Sequence, residues 1–444
     1  MSADLPNTMA GLRLALQDGV LSRAQALQIQ ADRFWRIGNL TGAVTRYLSP
    51  PVSADGEPGS LAGVALAHKD IFDLHNCRPG LGRQAPSTQK GLAQAAVLDF
   101  LDAAGLANLG TLALAEDACS ATGQTDKLPT PLNPLGVDVA VGGSSSGSAV
   151  AVASGMVYAS LGTDTAGSVR IPAMTCGVMG LKTTHGLIGR SGMTLLCPSL
   201  DSIGVLARAA DDIRCVMRVL APALDWDSPV PFKMLGVGHW LAQTELDDDV
   251  RQVVDPIMRC YGHHHIDIAG HERRASALQE LVMAYEVGQT QRLRIAQGKA
   301  CLQVAGLGGF GLTIPAAWWR QALRDRAHCL EGFVTEVFKD VDVLLAPLQT
   351  GLLPRTSEVY LGQAGFKRAK LLGLHRYGGW VNYLGLPALS MPVGVGPDGL
   401  PISIQLVGKP FHEHHLLAVG EHIQNDIHGG QGIVPVLNAE GQQS

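Results

Sequence analysis

The chain has 444 residues, 46% of them hydrophobic and 16% charged, with 53 glycines and a net charge of −5. Globular domains average about 25% charged residues and about 7% glycine, so this composition excludes a disordered or fibrous chain and predicts a large interior with many tight backbone passages. A small negative charge without long runs of either sign gives no electrostatic footprint for nucleic acid.

In chain order, residues 9–37 read as helical, with Leu12, Leu14, Leu16, Leu21 and Ala24 set among polar positions. Residues 61–68 read as a strand ending at Lys69, 93–104 as an apolar helix stopped by Gly105, and 107–114 as a strand. Between about 125 and 148 the composition turns to proline, glycine and serine. A small-residue helix follows at 149–159, then a glycine-punctuated turn over 162–172. Further helices are expected at 209–221, 245–260, 276–298 and 316–338, buried strands at 341–346, 388–394 and 402–407, and a last helix at 412–423. Strands alternating with helices predict a layered α/β fold. Without an internal repeat or a charged linker, one domain over 1–444 is expected, with a core over about 10–425 and a helical lobe at about 225–340 covering the sheet. The ends, 1–8 and 430–444, are expected to be loose.

Eight cysteines, none at C-x-x-C spacing, read as reduced and mostly buried thiols. The first residues lack a basic segment followed by an apolar core, and no run of about 18 apolar residues would span a bilayer. A cytoplasmic enzyme without membrane or nucleic-acid partners is the expectation.

The densest chemical signal is Gly142-Gly143-Ser144-Ser145-Ser146-Gly147-Ser148, just before a helix. A phosphate cradle would need Gly-Lys-Ser/Thr at its end, and Ser148 follows Gly147 instead. The G-x-S-x-G match over Gly143–Gly147 lacks the preceding strand of a nucleophile elbow. On composition alone the segment is a flexible loop. A second segment changes that reading: Gly162-Thr163-Asp164-Thr165-Ala166-Gly167-Ser168-Val169-Arg170-Ile171-Pro172-Ala173. Here small residues precede a serine, so that backbone N–H groups converge beside its hydroxyl as an oxyanion hole requires. Lys69, at the end of its apolar strand, ordinarily snorkels to solvent; buried, it loses basicity and serves as a base near neutral pH.

Together these segments resemble the amidase signature family, whose hallmark pairs a Gly-Gly-Ser-Ser-x-Gly-Ser segment with a Gly-Thr-Asp-x-Gly-Gly-Ser-x-Arg-x-Pro-Ala segment. The likeness extends to the lysine strand at 61–73, to GVMGLKTTHG at 177–186, to SLDSIG at 199–204, and to YLGLPALSMP and DGLPISIQLVGKP near the end. It implies the family fold, α/β with a large mixed β-sheet covered by helices on both faces. It also implies Ser168 as nucleophile, Ser144 as a bridging serine behind a cis peptide, and Lys69 as the base. N–H groups within Thr165, Ala166, Gly167 and Ser168 would hold the oxyanion. Ser145 and Ser146 are expected to satisfy backbone groups, and Asp164 to pair with Arg170 and hold the loop; a substrate carboxylate is the alternative partner of Arg170.

Two departures matter. Ala166 replaces a common glycine, as in the similar allophanate hydrolase branch, hinting at a small substrate; Thr183 replaces a proline and should loosen its turn. By the resemblance the pocket is shaped by segments 120–135 and 285–340, where Tyr285, Trp318 and Trp319 are candidates to line it. The chain shows no hydrophobic membrane-binding helix, which argues against a lipid amide.

Ser87-Thr88-Gln89-Lys90 matches Ser-x-x-Lys without the companion motifs of penicillin-recognising enzymes. His263, His264 and His265 are adjacent, and His412-Glu413-His414-His415 lacks H-E-x-x-H spacing because Leu416 takes the second histidine's place. No metal and no cofactor are expected. The reading is a metal-free serine amidase acting through an acyl-enzyme on a small-molecule amide, with a homodimer left open. Its rivals are the glutaminase subunit of a tRNA-dependent amidotransferase and an idle binding protein that kept the fold.

Overall fold

The computed structural model describes residues 5–48, 59–226, 230–241 and 245–428. The termini expected to be loose lie largely outside this range; Leu5, within it, is buried. The helix expected over 9–37 is two helices, Met9–Gln17 and Arg23–Thr41. Gly19, at φ +70°, turns the chain between them, and Ser22 with Gln25 forms a capping box on the second.

A three-stranded sheet places Ala107–Leu112 between Val44–Tyr47, antiparallel to it, and Ala65–Lys69, parallel to it. An eight-stranded mixed sheet runs in the order His264–His265, Val237–His239, Val343–Pro347, Pro401–Gly408, Ala388–Val395, Met179–Lys182, Ser202–Ala207 and Ala159–Asp164. Its first two pairings are parallel and the rest antiparallel. The edge strand Ala159–Asp164 abuts Ala65–Lys69 through cross-links: Ser160 Oγ donates to Ala67 O at 2.7 Å, and Leu161 N donates to His68 Nδ1 at 3.2 Å. This junction places the lysine strand beside the strand that leads into the second serine segment.

Helices cover both faces of the large sheet. On one, Val169 and Ala173 lie over Gly180, at the start of the helix Arg170–Thr175 and within it. On the other, Glu413–His428 seats Leu416 against Gly408 and Gly420 against Leu389. Alternate residues of a strand point to opposite faces, and Leu389 pairs with Leu181, the neighbour of Gly180. One apolar cluster extends from Leu5 to Ile423.

The helical lobe expected over 225–340 needs correcting. Val237–His239 and His264–His265 belong to the central sheet, so the helical unit starts at Ala269–Thr290 and continues through Leu302–Gly311 and Ala316–Val337. The first two cross closely at Gly311, where a Cβ would sit 1.7 Å from the Ala284 carbonyl oxygen. These long helices wall the cavity that opens onto Ser168.

Candidate active site

The glycine-serine segment is not a flexible loop. Ser144, Ser145, Ser146 and Ser148 are fully buried, and the helix Ser146–Ala153 starts immediately after the Gly143–Ser144 cis peptide. Its residues are small because backbone runs against it: a Cβ on Gly147 would lie 2.5 Å from Ala113 N. The extra hydroxyls bond to backbone groups. Ser145 Oγ accepts from Thr163 N at 3.3 Å, Ser146 Oγ donates to Ala113 O at 3.5 Å, and Ser148 Oγ donates to Leu161 O at 3.1 Å.

Lys69 ends its strand inside the protein, 1% exposed. Its Nζ donates to Ser144 Oγ and to Thr163 Oγ1, both at 2.8 Å. Burial pulls its pKa down to about 7, against the opposing pull of the Asp201 and Asp164 carboxylates. Neither carboxylate forms an ion pair with it; among the described residues its hydrogen-bond partners are the two hydroxyls.

The loop that carries Ser168 is built around Asp164. One carboxylate oxygen accepts from Gly167 N at 2.8 Å, and the other from Val169 N at 3.1 Å and Arg170 N at 3.4 Å. Arg170 closes the structure from its fully buried position: Nε and Nη2 grip the two oxygens of Asp164 at 3.1 and 3.0 Å. Its remaining donors go to Gln405 Oε1, Gly378 O and Asn382 Oδ1. Burial would raise the Asp164 carboxyl, but the guanidinium beside it and the Asn382 amide hold it well below the usual carboxylate range. Fully buried, Arg170 directs its guanidinium to partners inside the fold rather than into the cavity.

Of the expected oxyanion donors, Gly167 has its N–H committed to Asp164. Thr165, Ala166 and Ser168 keep N–H groups with no acceptor among the described residues. Gly167 adopts φ +115°, whereas Ala166 is outside the positive-φ region, so alanine fits there without strain. Thr183 donates its hydroxyl to Ile203 O at 2.7 Å, a bond that proline could not make. Ser168 is half-buried and lines the cavity. Its carbonyl accepts from Ser145 N at 3.1 Å, while its hydroxyl has no hydrogen-bond partner among the described residues.

The cavity holds about 1010 Å³. Segment 118–124, the helix Ala269–Thr290 and residues 371–379 supply much of its wall. Trp318 lines it as expected, but Tyr285 and Trp319 stack on each other, with centroids 4.9 Å apart, and Trp319 Nε1 donates to Glu286. The 120–135 segment contributes only up to Gln124. Sequence reasoning also assigned no role to four polar residues here. Thr163 is the second partner of Lys69. Asp201 accepts from Thr165 Oγ1 at 2.6 Å, and burial raises its carboxyl to about 6. Asn382 and Gln405 complete the Arg170 shell. The readable signal for Asn382 was a lone amide in the apolar run GWVNYL.

Elsewhere, Glu116, Asp117 and Cys301 come within metal-ligand distance of one another. Arg294 pairs with both carboxylates and Arg83 with Asp117, so charge at that cluster is already balanced. His263, His264 and His265 are exposed, and Ser87–Thr88 is an exposed strand of a small hairpin. The eight cysteines are free, and six are buried. Among the described residues no helix is long and apolar enough to cross a membrane.

Comparison with known proteins agrees with this architecture. A glutamyl-tRNA(Gln) amidotransferase subunit of Methylococcus capsulatus is 29% identical over 421 residues, covering 84% of each chain. Allophanate hydrolase of Kluyveromyces lactis superposes with a TM-score of 0.80 at 21% identity, over 98% of this chain and 76% of that one. A 6-aminohexanoate cyclic dimer hydrolase complexed with substrate superposes with a TM-score of 0.78 at 20% identity, over 93% and 95% of the two chains. The family model described as Amidase matches residues 47–243 and 306–417, and on that extent of likeness this chain belongs to the amidase signature family.

Proposed function

We propose that the protein hydrolyses a carboxylic amide through an acyl-enzyme on Ser168, with Ser144 and Lys69 relaying the proton. The observation that carries this is the buried Lys69 amine, 2.8 Å from Ser144 Oγ and poised near pH 7. A neutral Lys69 accepts the Ser144 proton as Ser144 accepts that of Ser168, so the nucleophile forms without a free alkoxide. Ser168 Oγ has no hydrogen-bond partner among the described residues, and the relay requires its bond to Ser144 to form when substrate fills the cavity, as catalytic hydrogen bonds commonly do. Attack on the carbonyl places an oxyanion against the N–H groups of Thr165, Ala166 and Ser168. The relay then runs backward: Ser144 gives its proton to the departing nitrogen and recovers one from Lys69. Water cleaves the ester by the same route.

Ammonia release from a panel of amides tests this. Ser168→Ala is expected to lose at least about 10³-fold in kcat, and mass spectrometry should find the acyl adduct on Ser168 in the parent enzyme. Activity surviving in that variant removes the assignment.

The similarity to amidotransferase subunits favours a second reading, a glutaminase that feeds ammonia to a partner. It requires glutamine-only turnover that appears when the partner proteins are added.

A further inference from the structure

We propose that the substrate is a primary amide of an apolar acid, its aryl or medium-length alkyl acyl group held in the cavity beside Ser168 and ammonia its leaving group. The inference rests on the acyl-enzyme reading above and adds which side of the scissile bond carries the bulk.

The two sides of that bond meet different surroundings. The leaving nitrogen takes its proton from Ser144, so it faces Ser144 and Lys69. There Lys69, Ser144, Ser145 and Thr163 are at most 2% exposed, and none of them lines the cavity. Their polar atoms are engaged with one another or with backbone. On this reading that side favours an NH2 group over a substituted amine. The open volume begins at Ala166 and Ser168, and so receives the acyl group.

That volume is apolar. Ala121, Ile171, Leu281, Ala284, Leu307 and Trp318 form much of the wall. Three of the polar side chains on it are tied inward, while Gln303 and His375 also line it. Gln124 exchanges two hydrogen bonds with the Leu361 backbone, Ser276 donates to Glu272, and Arg376 is paired with Glu245 and Glu272. Arg273 and Glu280 stand exposed at the rim. Glutamine would bring an ammonium and a carboxylate into this space, where desolvating them demands buried counter-charges. About 1010 Å³ is also far more than an acetamide-sized molecule fills, against the small substrate hinted at by Ala166.

In the reaction, the Ser168 Oγ–carbon bond forms first, the C–N bond breaks as the tetrahedral oxyanion collapses, ammonia leaves with the relayed proton, and water then returns the acid and free Ser168. Each methylene buried in such a wall is worth about fourfold in binding.

The test measures kcat/KM for acetamide, hexanamide, phenylacetamide, L-glutamine and N-butylhexanamide. Hexanamide and phenylacetamide are expected to exceed acetamide and glutamine by at least about 100-fold, and N-butylhexanamide to fall as far below hexanamide. Ala277→Trp, at an exposed part of the wall, should cut the hexanamide-to-acetamide ratio at least about tenfold; Ala121→Phe serves the same purpose if that variant does not fold. Acetamide or glutamine matching hexanamide overturns the proposal, as does equal turnover of the secondary amide or no turnover of any of the five. In the first two outcomes dependence on Ser168 survives. A Ser168 that a fluorophosphonate fails to label, with activity persisting in Ser168→Ala, overturns the acyl-enzyme reading instead.

Discussion

Two lysines in this fold are buried and pulled to a pKa of about 7, Lys69 and Lys182, yet their neighbours give them different work. Lys182 Nζ is capped by the carbonyls of Thr183 and Leu386, which cannot give up a proton. Lys69 Nζ meets two hydroxyls, and one of them is Ser144. On the proposed mechanism, contact with an exchangeable proton, not the depressed pKa, is what distinguishes the base. Its titration should appear in the kinetics. Lys69 accepts a proton only when neutral, so kcat/KM on a primary amide should rise with pH through about 7 and level off above it. Burial lowers this pKa while the Asp201 and Asp164 anions raise it. Asp201→Asn removes one of those anions, so the rising limb should move to lower pH, although the plateau drops because the amide offers donors where Leu196 and Cys197 N–H groups now donate. A limb that stays in place or moves upward would show that Lys69 is not the titrating base.

At the scale of elements, the serine loop after Ala159–Asp164 is held by one carboxylate and one guanidinium as well as by the buried side chains of Val169 and Ile171. Arg170→Lys keeps the charge but not the fork, which leaves Gln405, Asn382 and one Asp164 oxygen short of partners. Each buried group left without a partner costs about 1–3 kcal/mol. Urea unfolding of Arg170→Lys is therefore expected to show a loss of that order, with kcat falling alongside because the loop also positions Ser168. A loss below about 1 kcal/mol would mean the pair is dispensable. The loop's pairing of Asp164 with Arg170 was readable in the sequence, because both stand in one short motif. Asn382 and Gln405 were not, because they arrive from segments more than 200 residues away, and no local pattern encodes that meeting. The same limit explains the strands Met179–Lys182 and Ser202–Ala207. Their glycines and their position in turn-like motifs masked two central strands, whose β character comes from pairing with each other and with their neighbours in the sheet.

For the whole molecule, burying titratable groups sets how stability follows pH. Lys182 has a folded pKa of about 7 and an unfolded one of about 10.4. Below pH 7 it is charged in both states, so the folded protein bears the full desolvation cost. Between 7 and 10.4 the unfolded chain binds more protons than the folded one, and stability rises with pH as that cost fades. Lys69 contributes in the same direction. Buried thiols oppose it: burial raises Cys119, Cys176 and Cys215, so once unfolded thiols ionise above about pH 8.5 the folded state loses ground. The lysine effect is therefore cleanest between pH 7 and 8.5. The carboxyls of Asp70 and Asp212, raised by burial to about 7, oppose the lysines at the low end of that window, so the testable outcome is the difference between proteins: the urea midpoint of Lys182→Met should climb less steeply than that of the parent, because the proton difference of one lysine is gone. The absolute stability of the variant does not enter, since the unpaired carbonyls of Thr183 and Leu386 shift the curve without tilting it. Equal slopes in the two proteins would mean that Lys182 keeps its proton in the folded state, and that the interior around the strand Met179–Lys182 is wetter than its packing indicates.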